Sequence, residues 1–348
     1  MALLPSSWRG NGSRLTSKLT LLGIVVATVG VRVLSSSALP DRAPPRVLLH
    51  RPWQHPPLLD LLTLPLANHR GAVALALSVA AVLLCGLLAR EALGRWGALA
   101  TMGLAALCPA LVFSGSFWGH HAPVIPAITL LAVLLARRLS ASGPVSSAAI
   151  AAVTAASLLS DWPAWAPILA WTCWLAVFRP PQVPKPAARA TLKGLCLGMV
   201  AALPVYVWML VDIGDPGFAL GAKSVPVGLA ALESLLDAVA GLFLGDPSSL
   251  SLVLRCSCAL AVIASLAIGG VRASRHGNHC WSAVLLVGTA GAFIPALAIH
   301  PWLPIAAGKN LWYMTPLVLC LALSAVWPSS QQRGEQTKRG TSGTLAAT

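Results

Sequence analysis

The side chains of this chain that could support chemistry stand in segments between long apolar runs. Two carboxylates, Asp41 and Asp161, closely follow such runs, and a carboxylate can take a proton from an attacking hydroxyl group. Basic and imidazole side chains in similar segments could hold an anion such as a phosphate. These side chains are Arg51, His55, His120, His121 and Lys309. Together, the two kinds of group could support proton transfer beside a bound anion.

The composition indicates a membrane protein. Of the 348 residues, 57% are hydrophobic and 10% are charged, whereas soluble domains carry about 25% charged residues. Segments such as Gly71–Leu88 lack the polar face that a soluble helix requires. The net charge of +14 comes from cations in short loops between apolar segments. That placement favours retention beside membrane lipids on the cytoplasmic side over nucleic-acid binding.

The apolar runs predict an all-α integral membrane protein with about ten transmembrane helices. Residues 1–328 are predicted to form a single polytopic domain, and residues 329–348 a disordered, basic cytoplasmic tail. The predicted spans are 18–36, 71–89, 96–114, 122–136, 145–160, 163–178, 193–212, 249–271, 280–299 and 311–327.

The charge distribution predicts a multi-pass protein of the cell membrane with both termini in the cytoplasm. With an inside start, every inside loop is basic, as the positive-inside rule requires. The inside cations are Arg9, Arg14, Lys18, Arg90, Arg95, Arg137, Arg138, Arg179, Lys185, Arg189, Lys193, Arg272, Arg275, Arg333, Lys338 and Arg339. The basic N-terminus and its apolar run are similar to a signal peptide, but we interpret them as an uncleaved first span.

The predicted outer loops contain most of the acidic residues. The two long ones are 37–70 and 213–248, and each includes a segment, 57–67 or 225–244, that favours a helix in the membrane interface. Eight of the ten carboxylates lie outside: Asp41, Asp60, Asp161, Asp212, Asp215, Glu233, Asp237 and Asp246. The eight cysteines lie mainly in apolar runs, so we predict neither a disulfide framework nor a zinc site.

The order and spacing of several short motifs resemble the polytopic GT-C glycosyltransferases. The bacterial mannosyl and aminoarabinose transferases that use a polyprenyl-phosphate sugar are the most similar in pattern. The motifs are Leu39-Pro40-Asp41, His55-Pro56-Pro57-Leu58, the span end 87–95, the span 104–114, and Lys309–Leu317, which is similar to an Arg-Tyr-x-x-Pro segment. The resemblance covers roughly residues 18–180 and 300–327.

The resemblance implies inverting transfer of a sugar from a polyprenyl-phosphate donor to a glycan, lipid or protein acceptor outside the cytoplasm. Asp41 would be the base and Asp161 would support it. Lys309, His55 and Arg51 would lie near the phosphate, and His120 and His121 would contact phosphate or sugar. No cofactor or metal is predicted. Asp212 and Asp215 could form a paired-carboxylate metal site, but their spacing is also ordinary turn chemistry, which we favour.

The chain departs from the family pattern at three places. Arg42 stands where the family usually has Glu, and the loop between Asp41 and His55 is shorter. The fifth span ends in Ser160-Asp161-Trp162 instead of Thr-Lys. A catalytically inactive protein of the same fold is therefore one alternative.

Each candidate residue also has a structural interpretation. Asp41 could start a turn, and Asp161 could cap the following helix, with Pro163 at an early helical position. Trp162 and Trp165 could belong to an interfacial aromatic belt, and Lys309 could reach the headgroups.

The alternative of another functional class is a transporter or flippase, which would carry charges deep within its spans. The sequence places Arg255 well within a span and Arg32 near the end of one, whereas its acids lie at boundaries or in loops. This distribution of charges favours a glycosyltransferase over a transporter or flippase.

Overall fold

The computed structural model describes residues 6–37, 69–116, 121–178, 183–213, 229–244, 251–298 and 309–327. Within these ranges every regular element is helical, which confirms the all-α prediction. Two 3-10 segments, Trp162–Ala164 and Lys309–Met314, join the α-helices. The α-helices are α1 (Ser6–Ser37), α2 (Arg70–Leu107), α3 (Pro109–Ser116), α4 (His121–Leu139), α5 (Ser147–Leu158), α6 (Trp165–Val177), α7 (Lys185–Ile213), α8 (Leu229–Leu244), α9 (Leu252–Arg275), α10 (His279–Ala298) and α11 (Thr315–Val326).

The protein is membrane-embedded. Among the described residues, five helical segments are long and apolar enough to cross a bilayer, since about 20 helical residues span its hydrocarbon core. They are Thr16–Ser35, Gly71–Leu107, Ala122–Leu139, Lys185–Val211 and Leu252–Arg275. Large apolar side chains on α7 and α9 face outward, such as Val211 and Val253 at 73% and 76% exposure. Such surfaces suit contact with lipid tails.

Helix α2 is two antiparallel arms joined at Gly94. This glycine has φ 69° and ψ −170°, a backbone conformation that interrupts the helix. A methyl group added at Gly86 would overlap the side chain of Met102, although these residues would be about 24 Å apart along a straight helix. The predicted span 71–89 and the first part of the predicted span 96–114 therefore form a tight hairpin.

The predicted span 96–114 is not continuous. Cys108 has extended backbone angles and ends α2, and Pro109 begins α3. Proline has no N–H to continue the helical ladder and disfavours helical angles in the residue before it. The chain therefore breaks here, although both sides of the break are apolar.

One end of the helix bundle collects the basic segments, and we call it the basic end. Trp281 at the start of α10 donates its indole N–H to the Leu88 carbonyl, near the α2 turn, at 2.8 Å. Next to it, Cys280 Sγ lies 3.4 Å from the carbonyl of Leu139, where α4 ends. Arg272 donates to the Ala325 carbonyl at the end of α11. Three of the predicted inside loops and the end of α11 thus lie at one end of the bundle.

The opposite end holds Asp161 and Asp237, and we call it the acidic end. Here Arg32 of α1 contacts α2, and Ser116 of α3 donates its hydroxyl to the Arg32 carbonyl at 3.2 Å. Tyr206 of α7 donates its hydroxyl to the Leu158 carbonyl at the end of α5 at 2.5 Å. Asp161 and Asp237 therefore lie at the opposite end from these basic segments, whereas Glu91 lies at the basic end.

The second predicted interfacial helix exists as α8, but it is not confined to the surface. Val239, Ala240 and Leu242 are fully buried, and Cys108 Sγ lies 3.1 Å from the Leu242 carbonyl. The C-terminal half of α8 carries no charged side chain after Asp237, so it packs into the bundle. The first predicted interfacial helix, 57–67, lies outside the described residues.

Candidate functional site

Asp161 lies in the turn between α5 and the 3-10 segment Trp162–Ala164. Its side chain is 2% exposed, and its Oδ1 accepts a hydrogen bond from the backbone N–H of Trp162 at 2.9 Å. With Pro163 at an early helical position, this is the capping arrangement that the sequence offered as an alternative. The capping bond explains the position of Asp161. Because the carboxylate is buried, it lies in a low-dielectric environment, where electrostatic interactions are stronger than in water.

Tyr206 connects Asp161 to the helices around it. Its ring packs edge-on against Trp162 and Trp165, with centroid distances of 4.5 and 5.3 Å. Its hydroxyl holds the Leu158 carbonyl just before the Asp161 turn. Trp162 and Trp165 are half-buried against the core, so they position the turn through ring packing as well as bordering its surface.

Residues 311–314 of the second 3-10 segment are buried near the Asp161 turn. Tyr313 is fully buried, and its hydroxyl has no hydrogen-bond partner among the described residues. The carboxylate of Asp161 is close enough to Tyr313 to act on its hydroxyl electrostatically. The fold therefore brings together two segments that are far apart in sequence and that the family resemblance singled out separately.

Arg32 is a charged residue at the acidic end that the sequence analysis did not select as a site residue. It is 1% exposed, and its Nη1 donates to the carbonyls of Ala106 at 2.9 Å and Thr28 at 3.2 Å. Its Nε donates to the Ser78 hydroxyl at 2.5 Å, whereas its Nη2 finds no partner within the part of the chain that the structure describes. The signal in the sequence was an arginine inside an apolar run, which marks a functional position by default.

The helix break at Cys108 explains part of the Arg32 environment. Because α2 ends there and proline follows, carbonyl groups of the last α2 turn lose their helical partners. Arg32 satisfies the Ala106 carbonyl, and Gly115 allows the close approach, since a methyl group there would lie 2.8 Å from Arg32 Nε. The guanidinium group of Arg32 is thus fixed in place, and its Nη2 group is free of hydrogen bonds to any described residue.

Most of the predicted site residues remain predictions. Asp41, Arg51, His55 and His120 lie outside the described residues. His121 begins α4 and Lys309 begins the second 3-10 segment, but their side chains are not among those described. Of the predicted side chains, the structure describes Asp161 alone, and it places that carboxylate near the segment that Lys309 begins.

Arg255 does not lie deep within a span, contrary to the sequence prediction. The Ser251 hydroxyl caps α9 by accepting from the Leu254 N–H at 3.4 Å, so Arg255 is in the first turn. Arg255 Nη1 contacts both carboxylate oxygens of Asp237 at 2.6 and 2.8 Å. This cation therefore forms an ion pair at the acidic end and is not a mid-membrane charge.

Metal ligation finds no support among the side chains that the structure describes. They include no group of three or more His, Cys, Asp or Glu that could hold an ion. All eight cysteines are free thiols. Asp212 lies in the last turn of α7, with its side chain outside the description, and Asp215 lies outside the described residues.

No family model, curated protein or solved structure matches this chain. The resemblance to the GT-C glycosyltransferases therefore stays a prediction from motif order. The function has to be argued from the residues at the acidic end.

Proposed function

We propose that the protein is a membrane glycosyltransferase of the GT-C type. It transfers a sugar, with inversion, from a polyprenyl-phosphate donor to an acceptor at the acidic end, which faces away from the cytoplasm. The observation that carries the proposal is the proximity of buried Asp161 to buried Tyr313, in the segment that Lys309 begins. In this proposal the chain crosses the membrane about ten times, since each predicted span falls on helical structure.

The acidic end offers the groups that this chemistry needs. Transfer requires a carboxylate that accepts the proton of the acceptor hydroxyl. It also requires fixed positive charge where the donor phosphate departs. Arg32 supplies a buried positive charge at this end. Helix α1 ends here at Ser37, four residues before Asp41 in the sequence. Asp41 is the proposed base and Asp161 supports it, with Lys309, His55 and Arg51 assigned to the phosphate.

The test is transfer of labelled sugar from synthetic polyprenyl-phosphate donors by purified protein in proteoliposomes. Asp41→Asn and Asp161→Asn should each lower the transfer rate by at least about 100-fold, because a general base typically accelerates a reaction by that factor. The asparagine at 161 keeps an oxygen that can accept the Trp162 N–H, so the cap survives and only the charge is lost. An unchanged transfer rate in both variants would contradict the proposed roles of Asp41 and Asp161 in the reaction.

The matched control is Glu91→Gln. Glu91 is a carboxylate at the basic end, where it pairs with Arg137 at 2.8 Å. Its neutralisation removes one negative charge from the protein without touching the acidic end, so transfer should remain at the wild-type rate. An equal loss in this variant would show that the assay responds to general destabilisation.

A transporter or flippase is the second candidate, and the burial of Arg32 favours it. A charge inside a span often marks a substrate path. However, Arg32 is three residues from the end of the segment Thr16–Ser35, about 5 Å along the helix, which places it near the rim of that span. Movement of a labelled polyprenyl-phosphate sugar across vesicles without transfer to any acceptor would support transport. A protein that does neither would be an inactive scaffold of this fold.

A further inference from the structure

The turn between α9 and α10 is rigidly closed. Gly277 has φ +81°, and its N–H bonds to the Ser274 carbonyl at 3.0 Å. The Asn278 N–H bonds to the Ala273 carbonyl, also at 3.0 Å. These two bonds form a Schellman motif, which satisfies carbonyls at the end of α9 and reverses the chain at once. The last turns of α9 and the first turns of α10 are therefore held side by side at the basic end.

A groove of about 560 Å³ lies between these two helices. Its walls differ in character, with basic and hydroxyl side chains near the turn and aliphatic side chains farther along the helices. The lining residues are Gly270, Val271, Ser274, Arg275, His279, Cys280, Ser282, Ala283 and Leu286. The groove is thus amphipathic, with its polar part at the end of the bundle.

The polar part is suited to an anion. His279 Nδ1 and the Ser274 hydroxyl lie 2.8 Å apart, and Arg275 is exposed beside them. The first helical hydrogen bond of α10 runs from the Ser282 N–H to the Asn278 carbonyl, so the amides of the residues between them lie at the positive end of the helix. No carboxylate stands among the described lining residues.

The apolar part continues along the outer surface of both helices. Val271 and Leu286 are 51% and 37% exposed, and Ile268 on the next turn of α9 is 52% exposed. These side chains lead from the polar mouth towards the middle of the apolar spans. A free inorganic anion would use only the mouth, whereas a molecule with a phosphate and hydrocarbon chains would contact both parts.

We propose that this groove is a binding site for the phosphate headgroup of an anionic membrane lipid. The phosphate contacts Arg275, His279 and Ser274, and the acyl chains lie against Val271, Ala283 and Leu286. The site is at the opposite end from Asp161, so it does not depend on the proposed transfer reaction. Arg272 is not part of it, because its guanidinium is engaged with the Ala325 carbonyl.

The test is native mass spectrometry of purified protein titrated with phosphatidylglycerol, phosphatidylcholine or inorganic phosphate. The wild type should retain one phosphatidylglycerol, and the double variant Arg275→Gln/His279→Gln should bind it about tenfold more weakly, since each side chain that contacts a phosphate contributes modestly. Both side chains are exposed, so the variant should keep the wild-type thermal midpoint without lipid. The control Arg90→Gln removes an exposed cation from the same end but outside the groove, and should bind like the wild type.

A third variant separates the two sources of phosphate. Ala283→Leu fills the apolar part of the groove, so it should weaken phosphatidylglycerol binding. Equal retention of phosphatidylglycerol by the wild type and the double variant would overturn the site. Displacement of the lipid by millimolar inorganic phosphate, or unchanged lipid binding in Ala283→Leu, would show that the groove takes a free anion and would overturn the lipid assignment.

Discussion

Arg32 donates its Nε–H to the hydroxyl of Ser78 at 2.5 Å, and Ser78 in turn donates to the Leu111 carbonyl at 3.3 Å. The two bonds join α1, the first arm of α2 and α3 through one serine. A buried guanidinium is costly to desolvate, so each acceptor that it finds contributes to stability. Ser78 is therefore a residue on which the arrangement of the acidic end depends.

Ser78→Ala should lower the free energy of unfolding by about 1–3 kcal/mol, because it leaves a buried charged donor without its acceptor. The measurement is the thermal midpoint of the purified protein in detergent. Ser265→Ala is the matched control, since the Ser265 hydroxyl donates to the Ala261 carbonyl of its own helix and joins no second helix among the described residues. Equal midpoints for the two variants would show that the Arg32–Ser78 bond contributes little.

Gly94→Ala should destabilise the protein by about 1–3 kcal/mol, because side chains rarely adopt the backbone conformation of Gly94. Gly103→Ala is the control within the same helix. Nothing lies within 4 Å of a methyl group added there, and alanine is the better helix former, so this variant should gain about 0.5–1 kcal/mol. Thermal midpoints that move in the same direction in both variants would contradict the hairpin at Gly94.

The Asp237–Arg255 pair should show a larger coupling energy than the Glu91–Arg137 pair. The first pair is the more buried, with side-chain exposures of 22% and 15% against 21% and 36%. Double-mutant cycles with Asn and Gln replacements, followed by unfolding in detergent, should give about 1–3 kcal/mol for the first pair. The second should give at most about 1 kcal/mol, as is usual for exposed pairs. The reverse order would contradict the packing of α8 against α9.

Substituted cysteines should report the orientation of the two ends. Ser142 lies in the exposed loop after α4 at the basic end, and Ser251 is exposed before α9 at the acidic end. In intact cells, a membrane-impermeant maleimide should label Ser251→Cys above the background of the native thiols and should leave Ser142→Cys unlabelled. The converse pattern would place Asp161 in the cytoplasm and would exclude the proposed extracytoplasmic reaction.

The helices were predictable because apolar length and short basic loops are local properties of the sequence. The reversal near Gly94 follows from two apolar runs separated by Arg90 and Arg95. The interruption at Cys108 was harder to predict, because a proline in an apolar run either kinks or ends a helix, and the sequence does not distinguish the two.

The candidate site was predictable only in part. Asp161 stood out as an acid at a span boundary followed by tryptophan and proline. Its proximity to Tyr313 depends on the packing of segments that are distant in the chain. The same is true of Arg32, whose partners Ser78 and Ala106 belong to the two arms of α2. Such contacts have no local signature in the sequence.

The tight reversal at Gly94 bears on how the chain enters the bilayer during synthesis. With only a glycine between the two arms of α2, there is no loop for the insertion machinery to carry across. In the proposed topology Arg90 and Arg95 stay on the ribosomal side, so the two arms can leave the translocation channel as a pair. The absence of a side chain at Gly86 leaves room for the arms to pack closely, so this hairpin would form an assembly unit for the helices synthesised after it.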